Sequence, residues 1–377
     1  MFKKYPFYIK STVILFGLTL LVYALFHLGD IFIPLSFALM LAILLNPLTH
    51  LLQKCRLPRM LAIAIAILLA FLFIAGVGYL LFKETGSFAD QLPLFKKKMA
   101  EMGGKVQQFV SLHLKINLKK QDQYISEAEN GLKPIVASLM GTVLGGISTM
   151  VLLPVYTFLF LYYKALIVNF LYEVFEEANP EDVGKILTQT KGAIQSYMFG
   201  LLLEAIIVAA LNSIALLILG VNYAILLGVL GALLNVLPFI GGILAVLLPV
   251  LIATLTKEGV HTQVAVIIAY AVIQFIDNHF LIPYIVSSKV KINALISIII
   301  VLLGGALWGI SGMFLSIPFV GVLKIIFDRV PELHPWGKLL GTEVPTIQPQ
   351  QLQKLRRKIS GPIKRKLSQR NTAKTKG

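Results

Sequence analysis

The chain has 377 residues, 57% of them hydrophobic and only 14% charged, with a formal net charge of +16. Soluble domains carry about 25% charged residues, so a water-exposed globular fold is excluded and lipid must be the solvent. The apolar runs are continuous rather than alternating, which excludes a transmembrane β-barrel and leaves an all-α polytopic membrane protein.

The first apolar run follows Lys3, Lys4 and Lys10, as in a secretion signal, but "FHLGD" (26–30) offers no small-residue cleavage site, so the run is read as a first span. Spans are expected near residues 11–28, 31–48, 60–82, 139–163, 199–220, 264–286 and 309–327, about seven or eight in all. Two apolar segments, 222–256 and 293–307, do not fit a plain span and are read as broken or re-entrant, the second running on into 309–327. The N-terminus is basic, the turn at 27–34 carries no Lys or Arg, and the loop at 50–60 carries Lys54, Arg56 and Arg59. This alternation, with Lys289 and Lys291 later on, puts both termini in the cytoplasm of a multi-pass protein. Cys55 is the lone cysteine, which excludes a disulfide framework and a thiolate metal cluster.

Residues 1–82 thus form an N-terminal set of spans, and 83–138 an extracytoplasmic region of short amphipathic helices broken at Pro93, Gly103-Gly104 and Gly131. Residues 139–198 hold a span followed by cytoplasmic interfacial helices. In the second of these, Asn179 is placed to cap a helix with Pro180 at its first position and Val183, Ile186, Leu187 and Ile194 on one face. Residues 199–328 form a core with the broken helices, and 329–377 a basic cytoplasmic tail with ten Lys/Arg from 351 onwards. No aromatic residue interleaves those charges, so the tail is expected to meet membrane lipids rather than nucleic acid.

"LNVLPFIGGIL" (234–244) places Asn235, Pro238, Gly241 and Gly242 inside an apolar tract. Each flank is too short to cross a core of about 30 Å, Pro238 removes a backbone donor, and the glycine pair permits a tight reversal. Backbone groups freed at such a break survive only under protein or in a wet cavity. Gly304, Gly305, Gly309 and Gly312, with Pro318 beyond, mark a second interruption, in which Gly304 and Gly305 taken alone read as small residues serving plain helix packing. Two Gly/Pro-broken segments in one chain point to a transporter's mid-membrane site.

Glu204 and Asp277 lie within apolar spans, Asp277 beside Gln274, Asn278 and His279, with Pro283 ending or kinking the helix. A carboxylate at the bilayer centre costs about 2.5–3.5 kcal/mol, so a cavity-facing role is the default reading. The bland alternatives are that Glu204 reaches the interface, Asp277 bonds a neighbouring helix and His279 is a packing residue. No Walker loop or His-Glu-x-x-His motif is present, so neither an ATP-driven pump nor a metalloprotease is expected. No enzyme activity, metal or cofactor is expected either.

"GVNYAILLGVLGALLNVLPFIGGIL" (220–244), "IQFIDNHFLIPYIV" (273–286) and "GGALWGISGMFLSIP" (304–318) together resemble the autoinducer-2 exporter family of bacterial membrane proteins, over residues 10–330. One departure is Asn293-Ala294, where the family commonly has His-Pro. The resemblance implies a homo-oligomeric inner-membrane permease that exports a small polar solute such as a signalling furanone, or exchanges sodium or lithium for protons. An oligomeric scaffold without transport is the reading from another class. The transport path is expected to use Glu204, Asn235, Pro238, Gly241, Gly242, Gln274, Asp277, Asn278, His279, Pro283, Gly304 and Gly305.

Overall fold

The computed structural model describes residues 6–79, 81, 151–175, 180–237, 241–257, 259–286 and 292–342. The region 83–138, the first part of the span at 139–163, Asn179, Pro238 and the tail beyond 342 lie outside them.

Every regular element among the described residues is helical. The chain order is α1 (Phe7–His27), α2 (Gly29–Lys54), α3 (Arg59–Tyr79), α4 (Val151–Tyr162), α5 (Lys164–Val174), α6 (Pro180–Ile218), α7 (Ala224–Asn235), α8 (Gly241–Thr256) and α9 (His261–Ile276). A π-helical segment (Asp277–Val286) continues α9, followed by α10 (Ala294–Phe327), a short 3-10 turn (Pro331–Leu333) and α11 (His334–Leu340). Among the described residues, five helices are long and apolar enough to cross a bilayer, or six if α4 and α5, bent by 64°, make one span. The all-helical membrane fold is therefore as expected, while α7 and α8 are shorter apolar helices, as a broken segment requires.

One of the sequence boundaries moves. The helix at 180–198 and the span at 199–220 are one continuous helix of 39 residues, α6, because no proline interrupts residues 181–218. Of the four glycines in the second interruption, Gly309 makes the break, together with Trp308, between the segments 293–307 and 309–327. Gly309 has φ 60° and ψ −139°, a conformation that a Cβ resists. It divides α10 into two arms that fold back on one another, with Ser316 Oγ donating to the Ile300 carbonyl at 3.0 Å. Gly304 is packed so closely against Gly312 and Ser316 that a Cβ on it would collide with both. That pair therefore does what small residues do in any close helix contact.

Pro47 shows how the fold repairs a broken ladder. It cannot donate to the carbonyl of Ile43, one turn back in α2. Gln195 of α6 supplies the missing donor, Nε2 to Ile43 O at 2.8 Å. The tip of the α10 hairpin is fixed similarly, by Trp308 Nε1 donating to Leu25 O at 2.9 Å and by its ring lying against Gly29. Asn293 caps α10 through the Ile296 N–H at 2.8 Å and donates through Nδ2 to Leu339 O of α11 at 2.7 Å.

The core that positions the candidate site lies where α6, α7, α8 and α9 meet. Leu216, Ala224, Leu227, Ala245, Ile252, Ala253, Val266 and Tyr270 form one buried cluster there. Val208, Ala232 and Ile273 form a second. By contrast α1 and α3 present large apolar side chains outward, including Phe16, Val22, Leu68 and Phe73.

Candidate functional site

The α7–α8 hairpin hangs from one end of the bundle. It enters through the turn after α6, where Gly220 and Tyr223 both take positive φ, and leaves towards α9 near Gly259. Its arms of 12 and 16 residues extend about 18 and 24 Å at 1.5 Å per residue. Neither arm alone reaches the roughly 30 Å needed to cross the hydrocarbon. Glycines let the stem close. A Cβ on Gly228 would strike the backbone of Ser213 in α6, and one on Gly241 would strike the backbone of Leu234 and Asn235.

Three helices bring polar side chains to this tip. Asn235 ends α7, Glu204 lies in α6, and Asp277 stands where α9 passes into the π-helical segment. Asn235 Nδ2 donates to Asp277 Oδ2 at 2.8 Å and reaches Glu204 Oε1 at 3.5 Å. Gln274 Nε2 approaches the same Asp277 oxygen at 3.5 Å. Asp277 and Glu204 are only 1% and 4% exposed. Gly242 completes the wall, since its missing Cβ leaves the room that the Gln274 amide occupies.

Of the twelve residues expected on the path, six converge here: Glu204, Asn235, Gly241, Gly242, Gln274 and Asp277. Pro238 lies outside the described residues. Asn278, His279 and Pro283 are exposed and turn away, His279 stacking on Phe275 with ring centroids 4.2 Å apart. The cause is local. Adjacent helical positions are about 100° apart, so Asn278 and His279 point away from the face that carries Asp277. Pro283 cannot donate to the carbonyl of His279, and the backbone from Asp277 onwards is π-helical. Gly304 and Gly305 belong to the α10 hairpin.

Sequence reasoning missed three residues, Asn212, Tyr270 and Gln263, which are 2%, 6% and 8% exposed. Asn212 Oδ1, Tyr270 Oη, Gln263 Oε1 and Asp277 Oδ1 have no hydrogen-bond partner among the described residues. A buried polar atom left unpaired costs about 1–3 kcal/mol, so four in one region are not packing accidents. The missed signal was spacing: Gln263, Tyr270 and Asp277 recur every seven residues, on one face of α9. Among the described residues no cluster of His, Cys, Asp and Glu has the form of a metal site. A groove between α3 and α4 is lined by the apolar side chains of Ile67, Phe71, Pro154 and Phe158.

A bundle of apolar helices with a broken-helix hairpin closing over two buried carboxyls has the architecture of a polytopic membrane permease. Residues 12–332 match the sequence profile of the AI-2E family of transporters, and the chain belongs to that family. YrrI of Bacillus subtilis (strain 168), whose name assigns it to transport provisionally, is 26% identical over 307 residues, covering 78% of this chain and 85% of the relative. YhhT of Escherichia coli (strain K12), named in the same provisional way, is 25% identical and covers 83% and 88%. The AI-2 transport protein TqsA of Escherichia coli (strain K12) is 24% identical over 328 residues, 85% of this chain and 92% of TqsA. The chain is a multi-pass membrane permease.

Proposed function

We propose that this permease moves a small polar solute out of the bacterial cell across the inner membrane, driven by an ion gradient that is read at Asp277, Asn235 and Glu204. The observation that carries the reading is the Asn235 amide held between two buried carboxyls at the end of α7, in a pair of apolar helices each too short to cross the hydrocarbon. An amide donor is neutral, so it orients the pair without cancelling charge. One proton or one monovalent cation between the carboxyls would relieve their repulsion, and its loss would restore it. That difference gives the hairpin two electrostatic states, which coupling needs. With both termini in the cytoplasm, the α7–α8 hairpin is re-entrant from the extracytoplasmic side. The name of TqsA suggests the autoinducer-2 class of signalling furanone as the solute to try first.

A second reading is sodium– or lithium–proton exchange through the same residues. It is favoured by Asp277 Oδ1, a hard oxygen with no hydrogen-bond partner among the described residues. Proteoliposomes loaded with a furanone signal, sodium or lithium, and given an imposed pH gradient, separate the two. Furanone flux that follows the gradient supports the first reading, and cation flux without furanone flux supports the second. No flux of any kind in sealed vesicles overturns both and leaves an oligomeric scaffold.

A further inference from the structure

Beyond the carboxyl pair, the same four-helix interface holds a line of buried polar groups for which no role has yet been given. Tyr270 lies seven residues before Asp277 on α9, and Gln263 seven before that, so the three stand on one face at steps of about 10 Å. Asn212 of α6 joins them at the level of Tyr270. The Cβ position of Gly231 is 3.3 Å from Asn212 Nδ2 and 3.5 Å from Tyr270 Oη, so the absent side chain of α7 is what leaves space between these groups. At the far end Gln263 Nε2 reaches the Ala253 carbonyl of α8 at 3.4 Å, while its Oε1 remains free of any partner among the described residues. Beyond Gln263 the chain reaches the loop at Lys257 and Gly259, where the hairpin joins α9.

We propose that Gln263, Tyr270 and Asn212 hold a file of water molecules that connects the carboxyl pair to the end of the protein at the α8–α9 loop, and that this file is the proton's route to Asp277. The chemistry fits water better than a solute. The free atoms are two amide oxygens, a phenol and a carboxylate oxygen, each able to accept, and the phenol also able to donate. Steps of about 10 Å are bridged by two or three molecules, and Gly231, with no side chain, leaves the middle of the line open. Val266 and Ala253, both 0% exposed, form the dry apolar packing beside the line. The assignment of a proton to this route rests on the coupled-transport reading above, whereas the hydration of the line does not.

The test separates the two. In a Cys55→Ser background, single cysteines at 212, 263, 270 and, as a dry control, 266 are treated in sealed vesicles with a small charged thiosulfonate added from each side in turn. The expected result is labelling at 263, 270 and 212 from one side only, at least tenfold faster than at 266. Equal slow labelling at all four overturns the file. Because a cysteine at 212 could disturb folding, Tyr270→Phe supplies a second measurement: it keeps the ring, removes the hydroxyl, and is expected to slow proton-coupled flux severalfold without changing solute affinity. Unchanged flux in Tyr270→Phe, with wild-type flux intact, overturns the proton route. Labelling as expected in a protein whose Asp277→Asn variant still transports would sink the coupling site and leave the file standing.

Discussion

Asn235 Nδ2 is 2.8 Å from Asp277 Oδ2 and 3.5 Å from Glu204 Oε1, so one amide at the end of α7 joins carboxyls from two other helices. The two contacts are unequal. The shorter one is a full hydrogen bond, and the longer is at the limit of one. Asp277 is thus tied to the hairpin, while Glu204 is only brushed by it, and the two acids are expected to respond differently to substitution.

Asp277→Asn keeps the shape of the side chain and removes the charge. Coupled flux in proteoliposomes should fall by roughly 100-fold or more, as when a proton-handling group is lost. Glu204→Gln should cost about tenfold, equivalent to one hydrogen bond to a charged group of about 1.5 kcal/mol. Equal losses in the two variants would contradict the unequal geometry.

Asn235→Ala leaves both carboxyls buried without their shared donor. The protein should lose about 1–3 kcal/mol of stability, the cost of an orphaned buried acceptor. A lower thermal midpoint in detergent reads this directly. Asn235→Asp, which adds a third acid, should be worse in both stability and flux.

The two hairpin glycines should separate in their effects. A Cβ at Gly241 meets the backbone of Leu234 and Asn235, which cannot yield, so Gly241→Ala should destabilise by roughly 1–3 kcal/mol. A Cβ at Gly242 meets the Gln274 amide, 2.5 Å from its Oε1, and a side chain can move aside. Gly242→Ala should therefore fold nearly normally and lose flux instead, because it displaces Gln274 from Asp277.

In α10 the strained joint is Gly309, at φ 60° and ψ −139°. Gly309→Ala should cost about 1–3 kcal/mol from backbone strain alone, since nothing lies within 4 Å of its Cβ position. At the other end of this hairpin, Asn293→Ala should cost about 1 kcal/mol for the lost cap and also release α11. Faster proteolysis near Leu340 in that variant would report the release.

The parts of this architecture legible in sequence were those carried by large energies. Asp277 and Glu204 stood out because a charge in lipid is costly, and the 222–256 hairpin because a proline and a glycine pair interrupt an apolar run. Asn212, Tyr270 and Gln263 did not stand out, because amides and phenols are tolerated in spans at far smaller cost. Asn278 and His279 are chain neighbours of Asp277, but a helix turns about 100° per residue, so adjacency in sequence does not put them on its face. Gly304-Gly305 drew attention as a pair, yet glycine composition does not distinguish a packed contact from a joint. Only the backbone angles at Gly309 do.

Helix α6 runs for 39 residues, about 58 Å, nearly twice the thickness of a hydrocarbon core. Glu204 stands 24 residues from Pro180, a radius of about 36 Å. A rigid tilt of about 10° pivoting at the acid would sweep Pro180 through about 6 Å. With that pivot the helix would act as a long arm turning about the acid. Spin labels on α5 and near Pro180 would read its swing as a distance many times larger than any movement among the carboxyls themselves.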